Sequence, residues 1–298
     1  METVGVLCAR ARVEEKSLMA ALAAAGIVSA IFPPVDEPLP VGPLAIAPSG
    51  NPFPVPRLVI DRHQDRQIAR AVLASCRALG VPALSAGVAA TGDRLDVASA
   101  LAAHGLPRPH SALCTSEEAA LKAVRFSGLP ATLMPLDMKS GGIALLDQDT
   151  AEAVLEHRAV LGGSERSLGL IQAGAPMAHQ RAEIIVIDGR ATALQPGGDL
   201  ACGPVERRMA EEAARALRAD LVAVTVARIG SEPIVWDVHP APDFRDAMPI
   251  AVLTVAEAVA HAVAQRLRTM DAASLAQDLG SWIAITPEGV HDDIVIRA

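Results

Sequence analysis

The chain contains no tyrosine, only two tryptophans and only four phenylalanines in 298 residues. With aromatics at 2% and apolar residues at 51%, a core has to be assembled from many small side chains, chiefly alanine and valine. Blocks of lysine and arginine are also missing. The balance of 26 basic against 34 acidic residues gives a net charge of −8, which argues against nucleic acid or an anionic membrane as the main partner. The four cysteines, Cys8, Cys76, Cys114 and Cys202, form no CxxC pair. Such scattered thiols fit a reduced cytosolic protein better than a disulfide framework or a zinc site. Nor is there an uninterrupted apolar run of membrane length. The longest apolar stretch, around Met248 to Ala264, is broken by Glu257 and His261 and reads as an amphipathic helix. The chain enters the strand-like Val4–Cys8 with no signal peptide ahead of it, so a cytoplasmic location is expected. Internal repeats and low-complexity linkers are absent as well.

What is present is an alternation of strands and helices. Val4–Cys8, Ile27–Ile31, Arg57–Ile60 and Val81–Leu84 read as strands, with helices over Glu14–Ala25 and Asp65–Leu79. This βαβ order implies a parallel sheet covered by helices. The prolines between Pro33 and Pro56 deny backbone donors and imply an irregular loop. Further on, helices are expected over Asp93–His104, Ser116–Arg125 and Ala151–His157, and strands over Ala131–Pro135, Ile143–Leu146 and Gly169–Gln172. A hairpin joins Glu183–Ile187 to Ala191–Gln195 through Asp188-Gly189. The helix Val205–Leu217 then leads to paired strands at Leu221–Ala227 and Pro233–Val238, and to a long helix over Ile250–Arg268. Beyond Asp271, Trp282–Ile285 and Ile294–Ile296 look strand-like. The expected organisation is an N-terminal α/β domain (1–85), a central lobe (86–165), a C-terminal lobe (166–270) and an extension (271–298).

Two of these strands carry polar side chains that stand out. Thr225 lies on one, and Asp237 and His239 lie at i and i+2 on the next, so the last two share a face. Upstream, Thr91-Gly92-Asp93-Arg94 is followed by Ala100-Leu101 and Gly105-Leu106-Pro107-Arg108-Pro109. Then come Gly128-Leu129-Pro130-Ala131-Thr132-Leu133-Met134-Pro135, Glu156-His157-Arg158-Ala159-Val160-Leu161-Gly162-Gly163 and Ile171-Gln172. These runs resemble the RimK/LysX-like amino-acid ligases of the ATP-grasp superfamily over roughly residues 4 to 268. The resemblance implies an α/β ATP-grasp fold, with a parallel α/β domain followed by two α+β lobes that clamp ATP. It also implies acyl-phosphate chemistry supported by lysines, an arginine and two magnesium ions.

Carried over residue by residue, the resemblance assigns Arg94 to a phosphate-binding lysine position and Met134 to a second one. Methionine there removes a charge-assisted contact worth about 1.5–3 kcal/mol, and Lys139 from the following loop is a candidate replacement. Ser140-Gly141-Gly142 stands as the glycine loop over phosphates, and Gln172 with Ala173 as the hinge beside the adenine. Ala182 and Ile184 replace a charged segment, and Pro196 replaces an arginine. Thr225, Asp237 and His239 fall where the family has Asp, Glu and Asn as magnesium ligands. Histidine suits a transition metal better than magnesium, so an altered metal at Asp237/His239 is one reading and a plain structural role is another. Arg245, in Asp243-Phe244-Arg245, is a candidate substrate contact. Asp61–Arg66 sits at a strand end, where such domains often form crevices.

Two functions stay open. One is a non-catalytic descendant with a degenerate ATP and magnesium site, binding a small-molecule ligand or a protein partner in a cofactor or amino-acid pathway. The other is an active ligase adding an amino acid such as glutamate to a carrier or small cofactor. The resemblance extends to proteins serving tetrahydromethanopterin-type one-carbon metabolism. A homo-oligomer is compatible with either.

Overall fold

The computed structural model describes residues 3–33, 39, 55–161, 169–230, 232–250 and 252–285, with only the backbone of 161 and 274–285. Most of the proline-rich stretch and the segment Ile294–Ile296 lie outside the described residues.

The first sheet is parallel, in the order β2-β1-β3-β4, from β1 (Val4–Leu7), β2 (Ser29–Phe32), β3 (Leu58–Asp61) and β4 (Ala83–Leu84). Every residue of β1 and β3 is buried, as expected of strands covered on both faces. Helix α1 (Val13–Ala24) packs on one side and α2 (Arg66–Ala78) on the other. Asp65 caps α2, its carboxylate accepting from the amides of Gln67 and Ile68 at 2.9 and 3.3 Å.

A short helix α3 (Val88–Thr91) and helix α4 (Arg94–Ala103) lead into the second sheet. Gly87 holds this junction with a positive φ of 57°, and a Cβ there would overlap the Leu217 carbonyl oxygen. The second sheet is antiparallel, β5-β8-β6-β7, from β5 (Ser111–Cys114), β6 (Ala131–Pro135), β7 (Ile143–Leu145) and β8 (Gly169–Ala173). One face is covered by α5 (Glu117–Ser127) and α6 (Gln148–Leu161) over a core that includes Val124, Leu133, Leu145 and Ile171.

The third sheet, β12-β11-β9-β10-β13, is also antiparallel. It comprises β9 (Arg181–Ile187), β10 (Arg190–Gln195), β11 (Leu221–Arg228), β12 (Pro233–His239) and the two-residue β13 (Met248–Pro249). Helix α7 (Pro204–Ala216) packs on one face, against Ala182, Ile184, Val222 and Val224. Helix α8 (Val255–Ile285) packs on the other, against Ile185, Ile187, Leu221 and Ala223, and also meets α1. Small residues allow this: Ala210, Ala213 and Ala214 let α7 sit directly on the strands with no exposure at all.

Three sequence expectations change. Strand β5 and helix α3 were not foreseen. The long helix starts at Val255 rather than Ile250, because Thr254 and Glu257 form a capping box, each bonding the other's amide at 3.3 and 2.8 Å. It then continues through Trp282–Ile285, which is helical and not a strand. All four cysteines are free, and burial pushes the Cys8 and Cys76 thiols up to about 11, leaving them unreactive. Among the described residues no helix is long and apolar enough to cross a membrane.

Candidate functional site

The third sheet changes character along its length. On β9 the odd-numbered residues share one face. Ile185 and Ile187 bury against α8, whereas Arg181 and Glu183, at the other end, face open space. Ala182 and Ile184 point the opposite way into the core, at 2% and 0% exposure. The strand therefore presents a charged pair to the cleft after all, offset by one residue from the positions singled out by resemblance. Thr225 pairs in register with both Glu183 and Asp237, which places the threonine between two carboxylates. A bulge between Thr225 and Val226 interrupts the β11–β12 ladder there, and Asp237 and His239 line the same cleft.

Arg94, from the first turn of α4, reaches across to this sheet. Its Nε and Nη2 donate to Asp237 Oδ1 and Oδ2 at 3.1 and 3.0 Å, a bidentate fork. Its Nη1 donates to the carbonyl oxygens of Pro135, at 2.7 Å, and Asp137. The Arg94 side chain is 4% exposed and the Asp237 side chain 10%. Asp237 Oδ1 also accepts from the Val238 amide at 2.9 Å. Arg94 is thus brought together with the metal-position residues, with four of its five N–H donors engaged by the protein.

As placed, this donor set does not fit a magnesium ion. Magnesium needs oxygen donors in near-octahedral array. Both Asp237 oxygens are taken by a cation, Thr225 brings a neutral hydroxyl, and His239 brings nitrogen. The His239 Nε2 lies 3.6 Å from Glu183 Oε1 and 3.9 Å from Asp237 Oδ2. Among the described residues no group of three or more His, Cys, Asp or Glu side chains is placed to hold a metal ion.

The space in front of these residues is a cleft of about 570 Å³ between the second and third sheets. Its walls are mostly apolar, with Met134, Met177, Leu146, Pro176 and Trp236 among them. Met134 is 1% exposed and lies against Gly142, where a Cβ would overlap the methionine sulfur. Arg181 donates its Nε to the Gly197 carbonyl at 3.0 Å at the edge of the cleft. Glu183 is the polar group that sequence reasoning missed. Its side chain is 16% exposed, and no hydrogen bond reaches it from the described residues. Burial raises its carboxyl above the usual range and Asp237 pushes the same way, while His239 and Arg181 pull it back.

The remaining candidates fall elsewhere. Gly141 and Gly142 line the cleft, but Lys139 and Ser140 line a second one of about 640 Å³, beside Arg66, Arg70 and Thr91. The cause is local: Asp137 accepts from the amides of Lys139 and Ser140 at 3.0 and 2.6 Å, turning the chain away from Met134. Burial works against the ionised Asp137, and the Ser140 and Lys139 hydrogen bonds outweigh it, so its carboxyl stays below the usual range. Gln172 is buried at 7% exposure and faces a small adjoining void of about 30 Å³, shared with Arg94, Arg108 and Trp236. Its Oε1 accepts from Ser111 Oγ at 3.5 Å, and its Nε2 has no partner; the void is large enough for one water. Arg245 lies away from the cleft, with Nη2 at 3.3 Å from the buried Glu14 Oε1.

No family model matches the chain. Solved structures do. A RimK domain ATP-grasp protein from Sphaerobacter thermophilus DSM 20745 superposes with a TM-score of 0.70 at 25% identity, covering 88% of this chain and 99% of that one. The chain has the ATP-grasp fold. Two more distant ATP-grasp proteins share it. D-alanine–D-alanine ligase from Bacillus anthracis, solved with ATP, matches at 14% identity and TM-score 0.63 over 90% of this chain and 98% of its own. The ATP-grasp ligase PsnB, solved with a minimal precursor, matches at 15% and 0.64 over 89% and 99%. At the coarse level this is an ATP-grasp, ligase-like protein, and in ATP-grasp terms the cleft lies between the two antiparallel sheets.

Proposed function

We propose that this ATP-grasp protein uses its cleft to bind a small ligand without magnesium-dependent ATP turnover. The observation that carries the reading is the buried fork of Arg94 on Asp237. The single carboxylate at the three metal positions is neutralised by a protein cation, and that cation is thereby withdrawn from any triphosphate. Met134 adds to this, since it supplies no charge at the second lysine position and is packed under the glycine loop. A triphosphate entering the cleft would meet Glu183 and Asp237 with Arg181 as the nearest cation not held by a carboxylate. Losing two charge-assisted phosphate contacts at about 2 kcal/mol each weakens binding or rate by roughly a thousandfold. The cleft itself persists at about 570 Å³, within the ordinary range for small-molecule sites.

The test is calorimetric titration of the full chain with ATP, with and without magnesium. The reading predicts no magnesium-dependent heat at micromolar ATP. Magnesium-dependent binding in the micromolar range would overturn it and favour an amide-forming ligase.

A further inference from the structure

The chemistry of the cleft also points to what kind of ligand it takes. Its polar end holds two carboxylates in very different states. Asp237 is fully engaged by Arg94 and the Val238 amide. Glu183, on the neighbouring side of Thr225, has no donor within hydrogen-bond range, and His239 Nε2 lies 3.6 Å from its Oε1. A carboxylate lifted out of water and given no donor is a site with an unmet need for one. Around it the walls are apolar: Met134, Met177, Leu146, Pro130 and Pro176, with Trp236 between the acid end and the adjoining void. We infer that the cleft binds a small amine, with its ammonium on Glu183 and an apolar body against Met134, Met177 and Trp236.

Among the described residues the only lysine or arginine lining the cleft is Arg181, whose Nε already serves the Gly197 carbonyl. It sits two residues from Glu183 on the same strand face, so an anionic ligand has one alternative anchor, at the rim. An acid seated there would place its charge beside Glu183 and Asp237. An amine on Glu183 instead gains a charge-assisted hydrogen bond in a site partly shielded from water, together with the aromatic face and polarizable sulfurs of the walls.

The inference rests on the small-ligand reading of the cleft, and its test is separable from that reading. Three probes of similar shape are titrated into the full chain at millimolar concentration by ligand-observed NMR: phenethylamine, 2-phenylethanol and 3-phenylpropionate. The expected result is that the amine binds at least about tenfold more tightly than the alcohol, as one charge-assisted hydrogen bond requires, and that the acid does not bind. The variant E183Q should bring amine and alcohol within about twofold of each other. Equal binding of amine and alcohol, tighter binding of the acid, retention of the amine preference in E183Q, or failure of all three probes would each overturn the inference. The wild-type ranking stands whether or not E183Q folds. Magnesium-dependent ATP binding by the same preparation would instead bring down the reading beneath it.

Discussion

Two glutamates of this molecule, the buried Glu15 and the partly buried Glu183, shift in opposite directions. Glu15, in the first turn of α1, is fully enclosed. It accepts from the Arg12 amide, Nε and Nη2 at 3.0, 3.1 and 3.0 Å, and from Arg62 Nε at 3.4 Å. Burial works against its ionised form, but the Arg12 hydrogen bonds and the charge of Arg62 outweigh that, and its carboxyl is held below the usual range. Arg62 is itself anchored, with Nη1 on the Pro242 carbonyl at 2.7 Å and its guanidinium 4.6 Å from the Phe244 ring centre. Glu183 borders an open cleft, has no donor, and is shifted upward by burial. Burial is common to both; the donors make the difference. The first glutamate belongs to a closed structural joint between α1, β3 and the segment after β12. The second borders a cavity without a hydrogen-bond donor, with His239 Nε2 3.6 Å from its Oε1.

The contrast can be broken most forcefully at the closed joint. Glu15→Ala leaves Arg62 buried without its carboxylate and should lower unfolding free energy by about 3–5 kcal/mol, read by urea denaturation. The Arg94 fork comes next. Arg94→Met strips the partner from Asp237 and the donors from two carbonyls, at about 3 kcal/mol, the lower end of that range because the cleft gives Asp237 some access to water. At Glu183 the sign reverses. Glu183→Gln removes a charge whose burial outweighs the pull of His239 and Arg181 and should raise stability by about 1 kcal/mol, visible as a higher melting temperature.

The smallest effect is in pH. A raised carboxyl imposes its cost in full above its folded pKa and loses that cost as pH falls through it, so the advantage of Glu183→Gln over the wild type should shrink on acidification. His239, Asp237 and Arg181 are the charged groups that face Glu183, and each contributes to where the change falls. Glu15 behaves oppositely. Its contribution is present above the ordinary glutamate value and is lost as pH falls through its depressed folded value. An advantage that grew on acidification would contradict the assignment of Glu183 as a raised carboxyl without a hydrogen-bond donor.

These groups were unequally legible in the sequence. The common face of Asp237 and His239 follows from the period of a strand, and both do line the cleft. The alternation of Arg181 and Glu183 with Ala182 and Ile184 was equally visible, but which pair faces the cleft depends on the register of β9 against β11, which no local pattern specifies. Lys139 stands five residues from Met134 and looks close by, yet the turn at Asp137 sends it into another cavity. The partner of Arg94 lies 143 residues away, so the most consequential contact in the site had no local signature. The Thr254-to-Glu257 capping box, by contrast, was present in the sequence and would have set the start of α8 correctly.

The central claim is that Asp237 belongs to Arg94 and not to a metal. A double-mutant cycle with Arg94→Met and Asp237→Leu, measured by urea unfolding without added metal, tests it most directly. The claim predicts that each single variant is strongly destabilised while the double variant recovers part of the loss, with a coupling energy of about 2–3 kcal/mol. Additive losses, with a coupling below about 0.5 kcal/mol, would contradict it.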